Sequence, residues 1–376
     1  MNNTIKLAVA SALLAAASSA SAAGGIVAGD WTLDIGGNVN AYYAHTSKNN
    51  AASTSTITTG LLPNFLSVGG KTRQNDLDVA FTISIQPGAA RSSALTDGTE
   101  GGGMSNRQAF LTFGDASWGS IKLGKDLGIY ASDAILSDMT LLGVGAGGAN
   151  RSGNTTLGRI GYGYQYADWK SQVAYTSPNF SGFSFTGGVT QPWSINTGTA
   201  AAPTATNQKQ PAFEAKASYA FAMDAVTGKV WVSGITQRVD VSTTENHTAK
   251  AGDVGINLNA AGFGLTGYYG QGQGTGMLGQ MNDATAVREN KDWYTQATYT
   301  LPGVGTKLGL SYGESQQDTN NAKTTEKKNE MWTVGAYHPL TKHLNLVTEY
   351  SEAKNLVTGS ATVESKTISA GAILFF

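Results

Sequence analysis

The residues of this chain that could do chemistry are few and scattered. The four histidines are His45, His247, His338 and His343, on separate segments of the chain. There is no cysteine, and no His pair has the spacing of metal ligands, so neither a structural metal site nor a thiol nucleophile is expected. Serines are abundant, but a hydrolase needs a nucleophile, a base and an orienting group held together, and no Ser–His pairing suggests one. Gly143-Val-Gly-Ala-Gly-Gly148 matches a dinucleotide-type GxGxxG, but no helical pattern follows to place a dipole beneath a phosphate. It reads as a tightly packed loop. Asp97 and Glu100, which could bind a divalent cation, and the lysines Lys323, Lys327 and Lys328 read as solvated loop charges. Enzyme chemistry is therefore not expected, and no cofactor or metal is implied.

Net charge is −1, from 25 Lys+Arg and 26 Asp+Glu, which argues against a nucleic-acid partner. Mean hydropathy is slightly negative, as expected of a soluble protein or of a membrane barrel that shows only half of each strand to lipid. Residues 1–22 have the layout of a cleaved signal peptide. Lys6 supplies the positive n-region, 7–17 is apolar, and Ala20-Ser-Ala22 supplies a small-residue cleavage site. The apolar stretch is too short to span a bilayer. An exported chain without disulfides needs another source of stability, such as a closed hydrogen-bonded sheet. Residues 23–376 read as one domain.

The elements that must position any site are strands. Phe263, Leu265, Gly267 and Tyr269 share one face of their segment, while Gly264, Thr266 and Tyr268 share the other. Phe213, Ala215, Ala217, Tyr219 and Phe221 repeat the pattern against Glu214, Lys216 and Ser218. Tyr and Phe gather near the ends of such runs, as in the aromatic girdles of membrane barrels. The alternation predicts sixteen strands, over 30–45, 64–71, 76–86, 106–113, 118–125, 163–177, 183–190, 211–221, 229–238, 251–259, 263–272, 291–301, 306–315, 331–339, 344–352 and 364–376. Short turns at 114–117, 179–182, 260–262, 302–305 and 340–343 alternate with long connections at 46–63, 87–105, 126–162, 191–210, 274–290 and 316–330. That alternation predicts an all-β, sixteen-stranded antiparallel transmembrane barrel with short turns in the periplasm. Segment 106–113 fits least well. With Arg107 facing the lumen, Leu111 and Phe113 face it too unless a bulge intervenes. Lumen aromatics show no regular ladder, and outward girdles account for most of them.

The chain resembles the general diffusion porins of Gram-negative bacteria, particularly the beta-proteobacterial type. The matching residues are Asn106-Arg-Gln-Ala-Phe-Leu-Thr-Phe-Gly-Asp-Ala-Ser-Trp-Gly-Ser-Ile-Lys-Leu-Gly-Lys125, Ser137-Asp-Met139, Leu157-Gly-Arg159 and Val173-Ala-Tyr-Thr-Ser-Pro-Asn-Phe-Ser-Gly-Phe183. The resemblance implies a homotrimer whose third long loop folds inward to narrow the pore, with wall arginines facing acidic residues of that loop. By motif, Arg107 and Arg159 match wall arginines and Asp138 matches a loop acid; Lys122 and Asp133 add to the constriction. Two family charges are missing, near Leu66 or Ser67 and near Leu142. The implied function is passive diffusion of small hydrophilic solutes and ions across the outer membrane, with a weak anion preference. A substrate-specific channel, or a receptor or adhesin on a plugged barrel, would share the layout. Phe376 and its neighbours resemble the C-terminal signal read by the barrel-assembly machinery. Lipopolysaccharide and outer-membrane lipid are the other expected partners.

Overall fold

The computed structural model describes residues 25–89, 104–146, 155–193, 195–196, 205–206, 208–241, 246–279, 287–320 and 324–376. The signal-peptide segment, Asp97, Glu100 and Lys323 lie outside these residues.

Sixteen antiparallel strands form a closed wall: Trp31–Lys48, Phe65–Gln74, Leu77–Pro87, Met104–Asp115, Gly119–Leu127, Trp169–Thr176, Phe183–Thr190, Ala212–Met223, Val226–Asp240, Asn246–Ala260, Phe263–Gln273, Glu289–Thr300, Lys307–Gln317, Lys327–Pro339, Leu344–Val357 and Val363–Phe375. Each pairs with its sequence neighbour, and the first strand closes the ring. Its residues 32–38 pair with Phe65–Gln74, and residues 38–48 pair with Val363–Phe375. The Gly37 and Phe376 backbones exchange two hydrogen bonds, of 2.9 and 3.1 Å, across the seam. Closure leaves no unpaired strand edge in hydrocarbon, where each unsatisfied peptide group is costly.

Side chains follow the period-two pattern. Phe263, Leu265 and Tyr269 are exposed outward, while Thr266 and Tyr268 are buried inward. Outward aromatics meet in pairs such as Phe263–Tyr299, with ring centroids 4.4 Å apart. The short connections are tight turns. Ala261 and Gly262 both have positive φ, at 49° and 84°, the geometry that matches the strand twist of a two-residue hairpin.

Two departures from the periodicity position the site. The first is at Arg107. Asn106 pairs with Ile85 and Gln108 with Ser84, so Arg107 is an extra residue on its strand. This bulge resolves the conflict in 106–113, because Gln108 and Phe110 then line the lumen while Leu111 turns outward, 42% exposed. The second is at the sixth strand, which begins at Trp169, not at 163. Tyr164 and Gln165 are consecutive and both fully buried, so 163–168 has no lipid-facing side. It is the returning limb of an inward connection.

That connection runs from 128 to 168 and is the third long loop of the barrel. It carries the short helix Ser132–Ser137 and a 3-10 turn, Met139–Leu142. Ile135, Met139, Leu141, Val144, Ile160 and Tyr164 pack inside the barrel against Tyr42, Tyr268, Tyr294, Tyr337, Val347 and Ile373 of the wall. One side of the lumen is thus a dry core. The inward tyrosines are a cluster that the outward-girdle reading did not contain. Tyr268 and Tyr294 stack at 5.5 Å, and Tyr164 lies 5.6 Å from Tyr294. The apolar positions Trp231, Ile235 and Val239 on the strand Val226–Asp240 also face inward and are buried in these packed regions. No described helix is long and apolar enough to cross a membrane.

Candidate functional site: the pore and its charged lining

The inward loop is held to the wall by two buried carboxylates. Glu214 accepts the backbone N–H groups of Ile129 and Tyr130, each at 2.8 Å. It also accepts the Thr190 hydroxyl at 2.8 Å and pairs with Lys170 at 2.6 Å. Glu349 accepts the N–H groups of Val144 at 2.7 Å and Gly145 at 2.8 Å, and the Tyr337 hydroxyl at 2.7 Å. Charge-assisted bonds of this kind are shorter and stronger than neutral ones. The glycine motif at 143–148 finds its explanation here. A Cβ at Gly143 would lie 2.1 Å from Glu349 Oε1, and a Cβ at Gly145 would lie 2.6 Å from the Cα of Gly158 on the returning limb. The glycines let peptide N–H groups cradle an anion, and that anion is the protein's own carboxylate. Gly147 and Gly148 lie outside the described residues.

Tyrosine hydroxyls reinforce the attachment. Tyr42 donates to the Leu142 carbonyl at 2.7 Å and Tyr294 to the Ala134 carbonyl at 2.9 Å. The loop therefore occupies one side of the lumen as a packed, hydrogen-bonded body.

On the other side a water-accessible cavity of about 680 Å³ remains, between the helix Ser132–Ser137 and the wall. Its polar lining comes from alternate residues of many strands, including Ser67, Thr82, Gln108, Gln172, Thr186 and Ser218. Its charged lining is Lys71, Lys122, Lys216 and Lys229 against Asp34, Asp126 and Asp133. Four lysines against three aspartates leave one net positive charge.

The sequence-predicted residues fall into different settings. Asp133 is at the centre of the lining. It is 2% exposed, bonds Lys216 at 3.1 Å and pairs with Lys229. Burial alone would raise its carboxyl, but the two ammonium groups outweigh that and hold it below its ordinary value. Lys122 lines the same cavity, pairs with Asp126 and sits 4.8 Å above the Phe110 ring. Arg107 stands on its bulge with the guanidinium 5.8 Å from the Trp169 ring, beside an apolar recess off the main cavity.

Arg159 is not a wall residue. It rides on the returning limb and is fully buried. Its Nη1 donates to the Met331 carbonyl at 2.9 Å and its Nη2 to the Ser311 hydroxyl. Asp138 caps the 3-10 turn, accepting Thr140 N–H at 2.9 Å, the Thr140 hydroxyl at 2.6 Å and the Tyr164 hydroxyl at 2.8 Å. Among the described residues the partners of Asp138 are Thr140 and Tyr164, and neither Arg107 nor Arg159 pairs with it, so the expected transverse pairing is absent there. Both residues brace the loop. Phe376 packs at the barrel seam, close to Gly37.

Motif matching missed Lys216, Lys229, Lys71 and Asp126. The period-two pattern already put Lys216 on the face opposite Phe213 and Tyr219, so a polar-face reading of every strand would have found the lysines. Among the described residues there is no cluster of His, Asp and Glu able to hold a metal.

The sequence profile of Gram-negative porins matches residues 8–357. No curated protein sequence matches the chain. Solved structures share the fold at low identity. The anion-selective porin from Comamonas acidovorans is 15% identical, with 92% of this chain and 100% of that one aligned at a TM-score of 0.64. The outer-membrane channel DcaP of Acinetobacter baumannii is 15% identical over 94% of this chain and 100% of its own, at 0.68. The trimer form of OmpT from Vibrio cholerae is 14% identical over 92% and 99%, at 0.53. A closed strand wall with a lipid-facing exterior, a wet side passage and a profile match over most of the length place the chain in the Gram-negative porin family, as a diffusion channel of the outer membrane.

Proposed function

We propose that this porin is a weakly anion-preferring general diffusion channel. One observation carries the reading: four lysines and three aspartates line the passage beside the inward loop. A monovalent ion passing within a few ångströms of one uncompensated charge in water shifts in free energy by about 1 kcal/mol, several-fold in permeability. Arg107, Lys122 and Asp133, with Lys216, Lys229, Lys71 and Asp126, set the field. Arg159 and Asp138 act through the loop they brace. The anion-selective character of the Comamonas porin agrees with this reading.

The functional unit is a homotrimer of residues 23–376, formed after cleavage of 1–22; the trimer form of OmpT supports the assembly. Phe376 serves as the recognition residue for barrel assembly, and the lipid-facing strands sit among outer-membrane lipid and lipopolysaccharide. The test is a planar-bilayer recording with purified protein in a salt gradient. A reversal potential on the chloride side, fading as salt rises and screens the lumen, is expected. A potential on the cation side overturns the preference, and absence of conductance overturns the channel.

A further inference from the structure

Beside the water passage lies a second cavity, of about 290 Å³, at the lower end of the size range of ligand sites. Its walls are apolar side chains of the first connection and the inward loop, among them Leu61, Leu62, Ile135, Leu157 and Ile160. Leu127 and Leu136 line both this recess and the main passage, so the two adjoin there. Among the described residues one charged group faces the recess, Arg107, with Trp169 and Tyr166 beside it. Among the described residues no carboxylate stands within ion-pair distance of Arg107, and its guanidinium faces the Trp169 ring. The nearby hydroxyls are engaged with the protein: Thr155 donates to the Gly60 carbonyl at 2.7 Å, and Thr156 to the Val144 carbonyl at 2.8 Å.

A guanidinium with no carboxylate partner among the described residues, at the edge of an apolar recess, selects by two criteria at once. Its planar fork fits one carboxylate with two parallel hydrogen bonds. The leucine and isoleucine walls favour a body that leaves water. A single cation among the described lining suits a monoanion. We infer that the recess is a binding site for small organic monocarboxylates with an apolar or aromatic body, taken up from the passage with the carboxylate on Arg107 and the body among Leu61, Ile135 and Leu157. The inference rests on the anion-preferring reading and adds a substrate class to it.

The test is calorimetric titration of the detergent-solubilised protein with phenylacetate, acetate and benzyl alcohol, against detergent blanks. Phenylacetate is expected to bind one per chain. Acetate, which lacks the apolar body, is expected to bind more weakly by about tenfold or more. Benzyl alcohol, which lacks the charge, is expected to weaken similarly, and Arg107→Gln is expected to weaken phenylacetate by roughly tenfold or more. Equal binding of acetate and phenylacetate, equal binding of benzyl alcohol, or no phenylacetate binding each overturns the site, and this three-ligand comparison needs no variant. A chloride-preferring channel that does not bind phenylacetate leaves the proposed selectivity standing without the site. A cation-preferring channel that binds phenylacetate through Arg107 does the reverse.

Discussion

Asp133→Asn is the substitution that the geometry of the passage makes most informative. The carboxylate sits between Lys216 and Lys229 and is nearly inaccessible, whereas both ammonium groups are partly open to the lumen. Neutralising it changes the lining from one net positive charge to two. At about 5 Å in water, one added charge shifts a chloride by about 0.8 kcal/mol one way and a potassium ion by as much the other way. Screening at 0.1 M salt, with a Debye length of about 10 Å, reduces the difference to about 1 kcal/mol. The expected result is a rise of about fivefold in the chloride-to-potassium permeability ratio, read as a shift of reversal potential in a bilayer. Lys216→Gln is the mirror experiment: it removes a positive charge and should lower the ratio by a similar factor. The lysines reach water, so the barrel should tolerate Asn at 133. An unchanged ratio in both variants would show that ions do not pass this lining, and a cation shift in Asp133→Asn would refute the electrostatic assignment outright.

Other outcomes follow from the same contacts. Acidification should leave Asp133 charged through the ordinary carboxylate range, because its carboxyl is held low. Its ion pairs stabilise the loop above that range and are lost only as pH falls through the depressed value, where permeability ratios should jump toward anions. Glu349→Gln removes the charge that holds Val144 N–H and Gly145 N–H; each charge-assisted bond contributes about 1.5–3 kcal/mol, so the loop should loosen and channel noise and mean conductance should rise. Protease sites inserted at 316–330 should be cut on intact cells and sites inserted at 302–305 should not, since long and short connections lie at opposite ends of the barrel. Deleting Phe376 should lower outer-membrane insertion, measured by fractionation, while export to the periplasm continues.

Strand identity was legible because alternation is local. Phe263, Leu265 and Tyr269 against Gly264, Thr266 and Tyr268 identify a strand with one lipid face, whatever lies elsewhere in the chain. Sixteen such runs with alternating connection lengths determine the barrel and its membrane setting. The strand order needed no further information, since each strand pairs with its neighbour in sequence. The bulge at Arg107 was legible as a conflict of periodicity, though not as its resolution. The third long connection was legible as a stretch between strands, and its inward course only through the resemblance; its returning limb reads as strand because Gly161-Tyr-Gly-Tyr-Gln-Tyr166 mimics alternation.

The site was decided by tertiary structure. Asp133 meets Lys216 and Lys229, and Glu349 meets Val144, only because the wall closes into a ring and brings residues 83 to 205 positions apart to one level of the lumen. Sequence spacing carries no trace of such a meeting. Which arginine stays partly exposed was decided in the same way. Arg107 and Arg159 are alike as residues, yet one stands on a bulge beside the passage and the other is sealed under Met331 and Ser311 by the packing of the returning limb. Hydrogen-bonded alternation is a property of neighbours along the chain, so the sequence alone determines the barrel. Exposure of a charge is a property of what packs over it, so only the folded molecule determines the pore.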